Sequence, residues 1–154
     1  MVLTLYRIAR RLHRLGIPVL PRVLYVVNRI VFSVVLPPSA VLGRNVILGY
    51  RGLGIVIHRD AVIGDNVTIG PHATIGGRSG FKRVPIIGND VLIGVGACVL
   101  GPVKVGDGAS IGANAVVLVD VPAGAVAVGV PARIVPSAAR AAGTSGEVRC
   151  HAIE

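Results

Sequence analysis

The chain has 154 residues, 53% of them hydrophobic and 15% charged, with 21 Gly, 10 Pro, 3% aromatics and no Trp. That length accommodates one domain with short appendages and excludes a two-domain nucleotide enzyme. A mean hydropathy of +0.75 excludes a disordered or fibrous chain and asks for a core of small aliphatic side chains. The formal charge of +9 is concentrated: Arg7, Arg10, Arg11, Arg14, Arg22 and Arg29 all lie in the first 36 residues, where there is no acid, so the charge describes that segment and not the whole molecule.

In residues 1–36, Leu5, Ile8, Leu12 and Leu15 recur at helical spacing, with Arg7, Arg10, Arg11 and Arg14 on the other side of the wheel. This predicts a basic amphipathic helix. Gly16 and Pro18 end it, Pro21 opens a second helix, and Val23 to Leu36 runs apolar except for Asn28, Arg29 and Ser33. Neither run attains the roughly 18–20 unbroken apolar residues of a membrane span, and the prolines with Arg22 break up the apolar region of a signal peptide. The expectation is a helix pair packed on itself and on the end of the following domain, its arginine face suited to peripheral contact with an anionic membrane. Nucleic acid is not an expected partner, because no aromatic residues interleave the arginines. Cys98 and Cys150 share neither a metal-site spacing nor a disulfide framework, which fits a reducing cytoplasm, with Cys98 expected as a small buried residue.

From residue 37 onward a six-residue period takes over. Ile57, Ile63, Ile69, Ile75, Phe81, Ile87, Ile93, Val99, Val105, Ile111 and Val117 lie six apart and all are apolar. Two residues before each stands a second column in which Ala and Val dominate, and glycine follows the aliphatic at Gly64, Gly70, Gly76, Gly88, Gly94, Gly106 and Gly112. A period of six suits neither an α-helix nor a hairpin. It suits short strands with alternate residues pointing inward, joined by glycine-bearing turns, three hexads making one triangular coil of about 18 residues whose strands pair in parallel with the next coil at ~4.8 Å. Leu42-Gly43 and Leu48-Gly49 run three residues out of this frame, which predicts a bulge at 50–53, and the stretch 76–85 reads as a loop. Residues 136–154 lack the rhythm and read as a flexible tail.

The run IVIHRDAVIGDNVTIGPHATIGG, followed by VLIGVGACVLGPVKVGDGASIGANAVVLVDVPAGAVAVGVPARIV, resembles the hexapeptide-repeat acyltransferases, above all the serine O-acetyltransferase branch with its exopolysaccharide-cluster relatives. The resemblance spans 37–135. It implies an all-β main domain, a left-handed parallel β-helix preceded by a short α-helical segment. It implies a homotrimer with active sites between subunits, and acetyl-CoA as donor for direct acetylation of a hydroxyl of L-serine, a step of cysteine biosynthesis, or of a sugar. Carried onto this chain, the donor contacts fall on Lys82 and Arg83 of the loop, on Gly94, Val95, Gly112 and Ala113 of the late turns, and on Arg133 near the end. The positions of the family's two histidines hold Arg51 and Val84, with Tyr50 where an acid precedes the first, and Val119 stands where sugar-directed relatives carry a lysine.

Taking a proton from an attacking hydroxyl suits histidine, whose ordinary pKa is about 6.5. Of His13, His58, His72 and His151, the two in the repeat region are candidates. Counting by 18 aligns His58 with Gly76, Gly94 and Gly112, which makes His58 the expected base at the tip of a pantetheine arm laid along the glycines, and His72 the second candidate. Two repeat-region histidines do not make the three-histidine zinc site of the carbonic anhydrase type on this fold, so no metal is expected. A non-catalytic β-helix scaffold is the alternative that the missing family histidines leave open.

Overall fold

The computed structural model describes residues 1–17 and 19–135; the tail expected at 136–154, with Cys150 and His151, lies outside the described residues. Two helices lead, α1 (Val2–Arg14) and α2 (Val19–Phe32). Arg11, His13 and Arg14 in the last turn of α1 suit the partial negative charge of a helix C-terminus. Past that end, Gly16 turns the chain at φ +77°. The helices pack on each other, and Asn28 of α2 donates to the Val2 carbonyl at 3.3 Å. No helix among the described residues is long and apolar enough to cross a membrane.

The seat of α1 differs from the expected stripe. Val2, Tyr6 and Ala9 are its buried residues, whereas Ile8 and Leu15 are 45% and 75% exposed. Val2 and Tyr6 join the core of the repeats, and the Tyr6 hydroxyl donates to the Ala40 carbonyl at 2.6 Å. A hydropathy wheel ranks Leu and Ile above Tyr and Ala, but the Tyr6 ring buries a large apolar surface while its hydroxyl reaches a backbone acceptor.

After α2 the chain winds in short coils. The first holds β1 (Val41–Leu42) and β2 (Ile47–Leu48), and the second β3 (Val56–Ile57), β4 (Val62–Ile63) and β5 (Thr68–Ile69). The third holds β6 (Thr74–Gly76), β7 (Ile86–Ile87) and β8 (Leu92–Ile93). The fourth holds β9 (Cys98–Leu100), β10 (Lys104–Val105) and β11 (Ser110–Ile111); β12 (Val116–Val117) and β13 (Val126–Val128) follow, and β14 (Arg133–Val135) closes the stack. Three sheets result: β1-β4-β7-β10, then β14-β13-β11-β8-β5-β2, then β12-β9-β6-β3. Every pairing is parallel except that of β13 with β14. This is the expected parallel β-helix with its helical lead. Val34 to Leu36 already belong to it, since Val35 bridges Val56 in parallel.

The inward columns stack as the period predicts. Ile57 lies on Ile75 and Val99, Ile63 on Ile87, and Ile69 on Ile93 and Ile111, all at or below 2% exposure. Each such side chain contributes about 1.5–3 kcal/mol on burial. The expected bulge is present as a 3-10 turn at Gly49–Gly52, with Tyr50 and Arg51 at positive φ. Cys98 points outward and is half-buried, unlike the expectation: it is the residue before an inward valine, and alternation along a strand puts it on the other face.

One prediction of the 18-residue count fails. Val62 pairs with Ile86 and Gly76 with Leu100, so the coil containing the loop has 24 residues. His58 therefore shares a column with Gly76 and Leu100, not with Gly94 and Gly112. The loop adds six residues, which leaves the six-residue frame intact while shifting everything after it by one side of the prism. Phe81, in frame by number, is 52% exposed in the loop.

Candidate active site

The prism has three edges, each with its own chemistry. Along the edge from the second sheet to the third run Gly49, Gly70, Gly94 and Gly112, in register through β2, β5, β8 and β11. A Cβ at Gly94 would stand 2.6 Å from the Ala113 amide nitrogen of the next coil, so stacking itself demands the glycine, independently of any ligand. Val95 and Ala113 are exposed beside these glycines. Arg133 pairs with Val128, and Val128 Cγ1 would lie 2.8 Å from a Cβ on Gly112. Arg133 thus closes the same edge at its C-terminal end.

His72 belongs to this edge and His58 does not. Its amide donates to the Leu53 carbonyl at 2.9 Å, the Gly96 amide of the next coil donates to Pro71, and the Asn114 amide donates to Val95, so His72 stands one coil before the Gly94–Val95 turn. At φ 59° it lays its ring over Gly54, where a φ of +66° and contact of any Cβ with His72 Nδ1 admit only glycine. Arg51, expected at the family's histidine position, is exposed in the 3-10 turn one coil further back on the same edge. A guanidinium is always protonated and cannot serve as a base.

The edge from the third sheet to the first carries His58, Gly76 and the loop. His58 Nδ1 accepts the Asp60 amide at 3.2 Å, with Asp60 Oδ2 at 3.7 Å. A backbone amide only donates, so in the neutral ring the proton sits on Nε2, and His58 is set as a donor at its outer nitrogen. Lys82 and Arg83 are exposed on the loop and Val84 is half-buried; Arg78 lies over the Phe81 ring at 5.5 Å. The expected site residues therefore fall into two groups. Gly94, Val95, Gly112, Ala113 and Arg133 share an edge with His72, and Lys82 and Arg83 share the next edge with His58.

The third edge, from the first sheet to the second, is a polar ladder that periodicity in apolar residues did not reveal. Asp65 Oδ1 accepts the Arg44 amide at 2.7 Å, Asn89 Oδ1 the Asp65 amide at 2.9 Å, and Asp107 Oδ1 the Asn89 amide at 2.7 Å. The signal for it was the turn pairs Asp65-Asn66, Asn89-Asp90 and Asp107-Gly108 at matching places after each glycine. Arg44 adds Nε and Nη2 bonds to Asp65 Oδ2 at 3.0 and 2.8 Å, and these contacts hold the Asp65 carboxyl below its ordinary pKa, the backbone amide foremost.

Residues 85–118 match the family of bacterial transferase hexapeptides (six repeats). A serine acetyltransferase of Helicobacter pylori strain J99 is 42% identical over 132 residues, 84% of this chain and 77% of the relative. Among solved structures, soybean serine acetyltransferase complexed with serine superposes with a TM-score of 0.82 at 42% identity, over 87% of this chain and 56% of that one. A serine acetyltransferase in complex with CoA gives 0.81 at 38%, over 87% and 55%. The chain thus spans just over half the length of these two structures. The parallel coiled stack and the match to hexapeptide repeats place the chain among the hexapeptide acyltransferases. Within that class the chain belongs to the serine acetyltransferase family.

Proposed function

We propose that this protein moves an acetyl group from acetyl-CoA directly to the hydroxyl of L-serine, in a cleft shared between the subunits of a homotrimer. The reading is carried by the edge on which His72, Gly94, Val95, Gly112, Ala113 and Arg133 stand together, in a chain 42% identical to a serine-bound relative over 87% of its length. The pantetheine arm runs along Gly94–Val95 and Gly112–Ala113, toward Arg133 and its phosphates. Lys82 and Arg83 lie across the third sheet on the next edge, so a cofactor following the glycines meets these cations only if a neighbouring copy presents its loop. This is the structural argument for the trimer.

In the reaction His72 takes the serine hydroxyl proton as the oxygen attacks the thioester carbonyl; the C–S bond breaks, and the imidazolium returns the proton to the departing thiolate. His58 is the second candidate, supported by its place at the root of the loop and by Asp60; its Nδ1 must first give up the Asp60 amide. His72→Ala should lower turnover by about a hundredfold with acetyl-CoA binding retained, and His58→Ala by less than about tenfold. The opposite ranking would assign proton transfer to His58. Unchanged turnover in both would remove imidazole catalysis, and absence of acceptor-dependent thiol release from acetyl-CoA, tested with serine, homoserine and sugars, would favour the non-catalytic scaffold. Acceptance of a sugar over serine would move the acceptor, not the chemistry.

The proposal also includes a cytoplasmic location with peripheral contact to an anionic membrane through residues 1–36. It is supported by Val19, Val23, Val26 and Ile30, exposed on α2.

A further inference from the structure

The arginine stripe of α1 is turned toward the first coil. Arg7, Arg11 and Arg14, at i, i+4 and i+7, line a groove whose opposite wall is Leu42 to Asn45 with Asp65. It comprises an inner recess of about 170 Å³ floored by Leu3, Tyr6, Leu42 and Val46 and a wider mouth of about 650 Å³. The charges in it are unbalanced. Its single carboxylate, Asp65, is taken by Arg44 through three contacts, and Arg10 is committed to backbone carbonyls at Pro38, Ser39 and Ala40. The side chains of Arg7, Arg11 and Arg14 make no hydrogen bond or ion pair with any described residue. No acid precedes Asp60 in the chain.

Three like charges within two helical turns repel one another, at about 0.2–0.5 kcal/mol per neighbouring pair. Solvated arginines normally spread over a convex face. Here they line a concave one with an apolar floor, where the fields of neighbouring guanidinium groups add. We propose that this groove is a binding site for a phosphate-type polyanion, held bidentately by Arg7, Arg11 and Arg14. The groove lies on the edge between the first and second sheets and the glycines on that between the second and third, so within one subunit the site is separate from the one proposed for acetyl-CoA. It stands whether or not the acetyl-transfer reading holds.

The test measures binding of tripolyphosphate by titration calorimetry at low salt, and flotation with phosphatidylcholine vesicles with and without phosphatidylglycerol. The wild-type chain is compared with Arg7→Gln/Arg11→Gln/Arg14→Gln and with Arg59→Gln/Lys104→Gln, which removes two exposed charges outside both the groove and residues 1–36. The triple variant should bind at least tenfold more weakly than wild type and the double variant within about twofold, with thermal melts unchanged and thiol release from acetyl-CoA unaffected. Binding of tripolyphosphate supports a soluble phosphate ligand; capture by phosphatidylglycerol vesicles alone, lost in the triple variant, supports the same site on a lipid phosphate. No binding to either by the wild type, or equal weakening in the two variants, overturns the proposal, the latter because it reports diffuse attraction to a basic surface.

Discussion

Asp65 is the carboxylate on which the turn ladder and the mouth of the arginine groove both depend. Its oxygens accept the Arg44 amide and the Arg44 guanidinium, and these contacts depress its pKa from the ordinary 3.8. A carboxyl whose folded pKa is lowered contributes its full stabilisation above the unfolded value and loses it as the pH falls through the folded value. Asp65→Asn should therefore melt below wild type near neutrality, and the gap between the two melting temperatures should close as the pH drops below 3.8. A gap of constant size across that window would show that the charge of Asp65 contributes nothing. At the same scale, His72 keeps its ring over Gly54 because no side chain fits there, a relation between residues 18 apart in sequence that becomes visible only once the 3-10 turn and the following coil are laid together.

Among the elements, the α1–α2 hairpin shows how far a helical wheel reaches. Two helices docked on each other and on the coil were legible from the arginine spacing, Gly16 and Pro21. The face of α1 that docks was not, because it meets two partners at once and a hydropathy pattern reports only the sum. The Tyr6 hydroxyl, buried against the Ala40 carbonyl at 2.6 Å, joins α1 to the first coil, and burial raises its pKa. Tyr6→Phe removes that donor and leaves a carbonyl to Arg10 alone, at a cost of about 1 kcal/mol. It should lower the melting temperature by a few degrees and speed proteolysis within α1 before the repeats are cut. If it leaves both unchanged, Arg10 alone joins the helix to the coil. The repeats were more legible than the helices. Each strand alternates an inward aliphatic with an outward residue, so the burial of Ile69 or Ile93 follows from local pattern.

For the whole molecule, the outer faces of the sheets carry Ile47, Ile86 and Leu92 at 59%, 47% and 47% exposure. Exposed aliphatics on flat parallel faces favour self-association. Light scattering on the purified chain should give about 47 kDa, three times its 15.8 kDa. A monomer that still acetylates serine would refute the shared cleft, since Lys82 and Arg83 would then have to act from a different edge than Gly94 and Gly112. Mixing inactive His72→Ala chains with chains lacking the loop cations supplies the complementary reading, because partial recovery of turnover requires a site built from two copies.

The period of six, read from the sequence alone, determined which residues face the core, where the turns fall, and that the coils stack in parallel, because alternation and turn chemistry act over a few residues. The family and most of the candidate contacts came instead from the resemblance that these residues carry. Which side chains share an edge was decided only in three dimensions. The loop between Gly76 and Ile86 adds one period, a change invisible to a count in sixes, and the pairing of Gly76 with Leu100 moves the glycine edge from His58 to His72. Likewise the placing of Arg7, Arg11 and Arg14 along a groove against the first coil depends on the angle at which α1 meets that coil, which packing sets and no local pattern encodes.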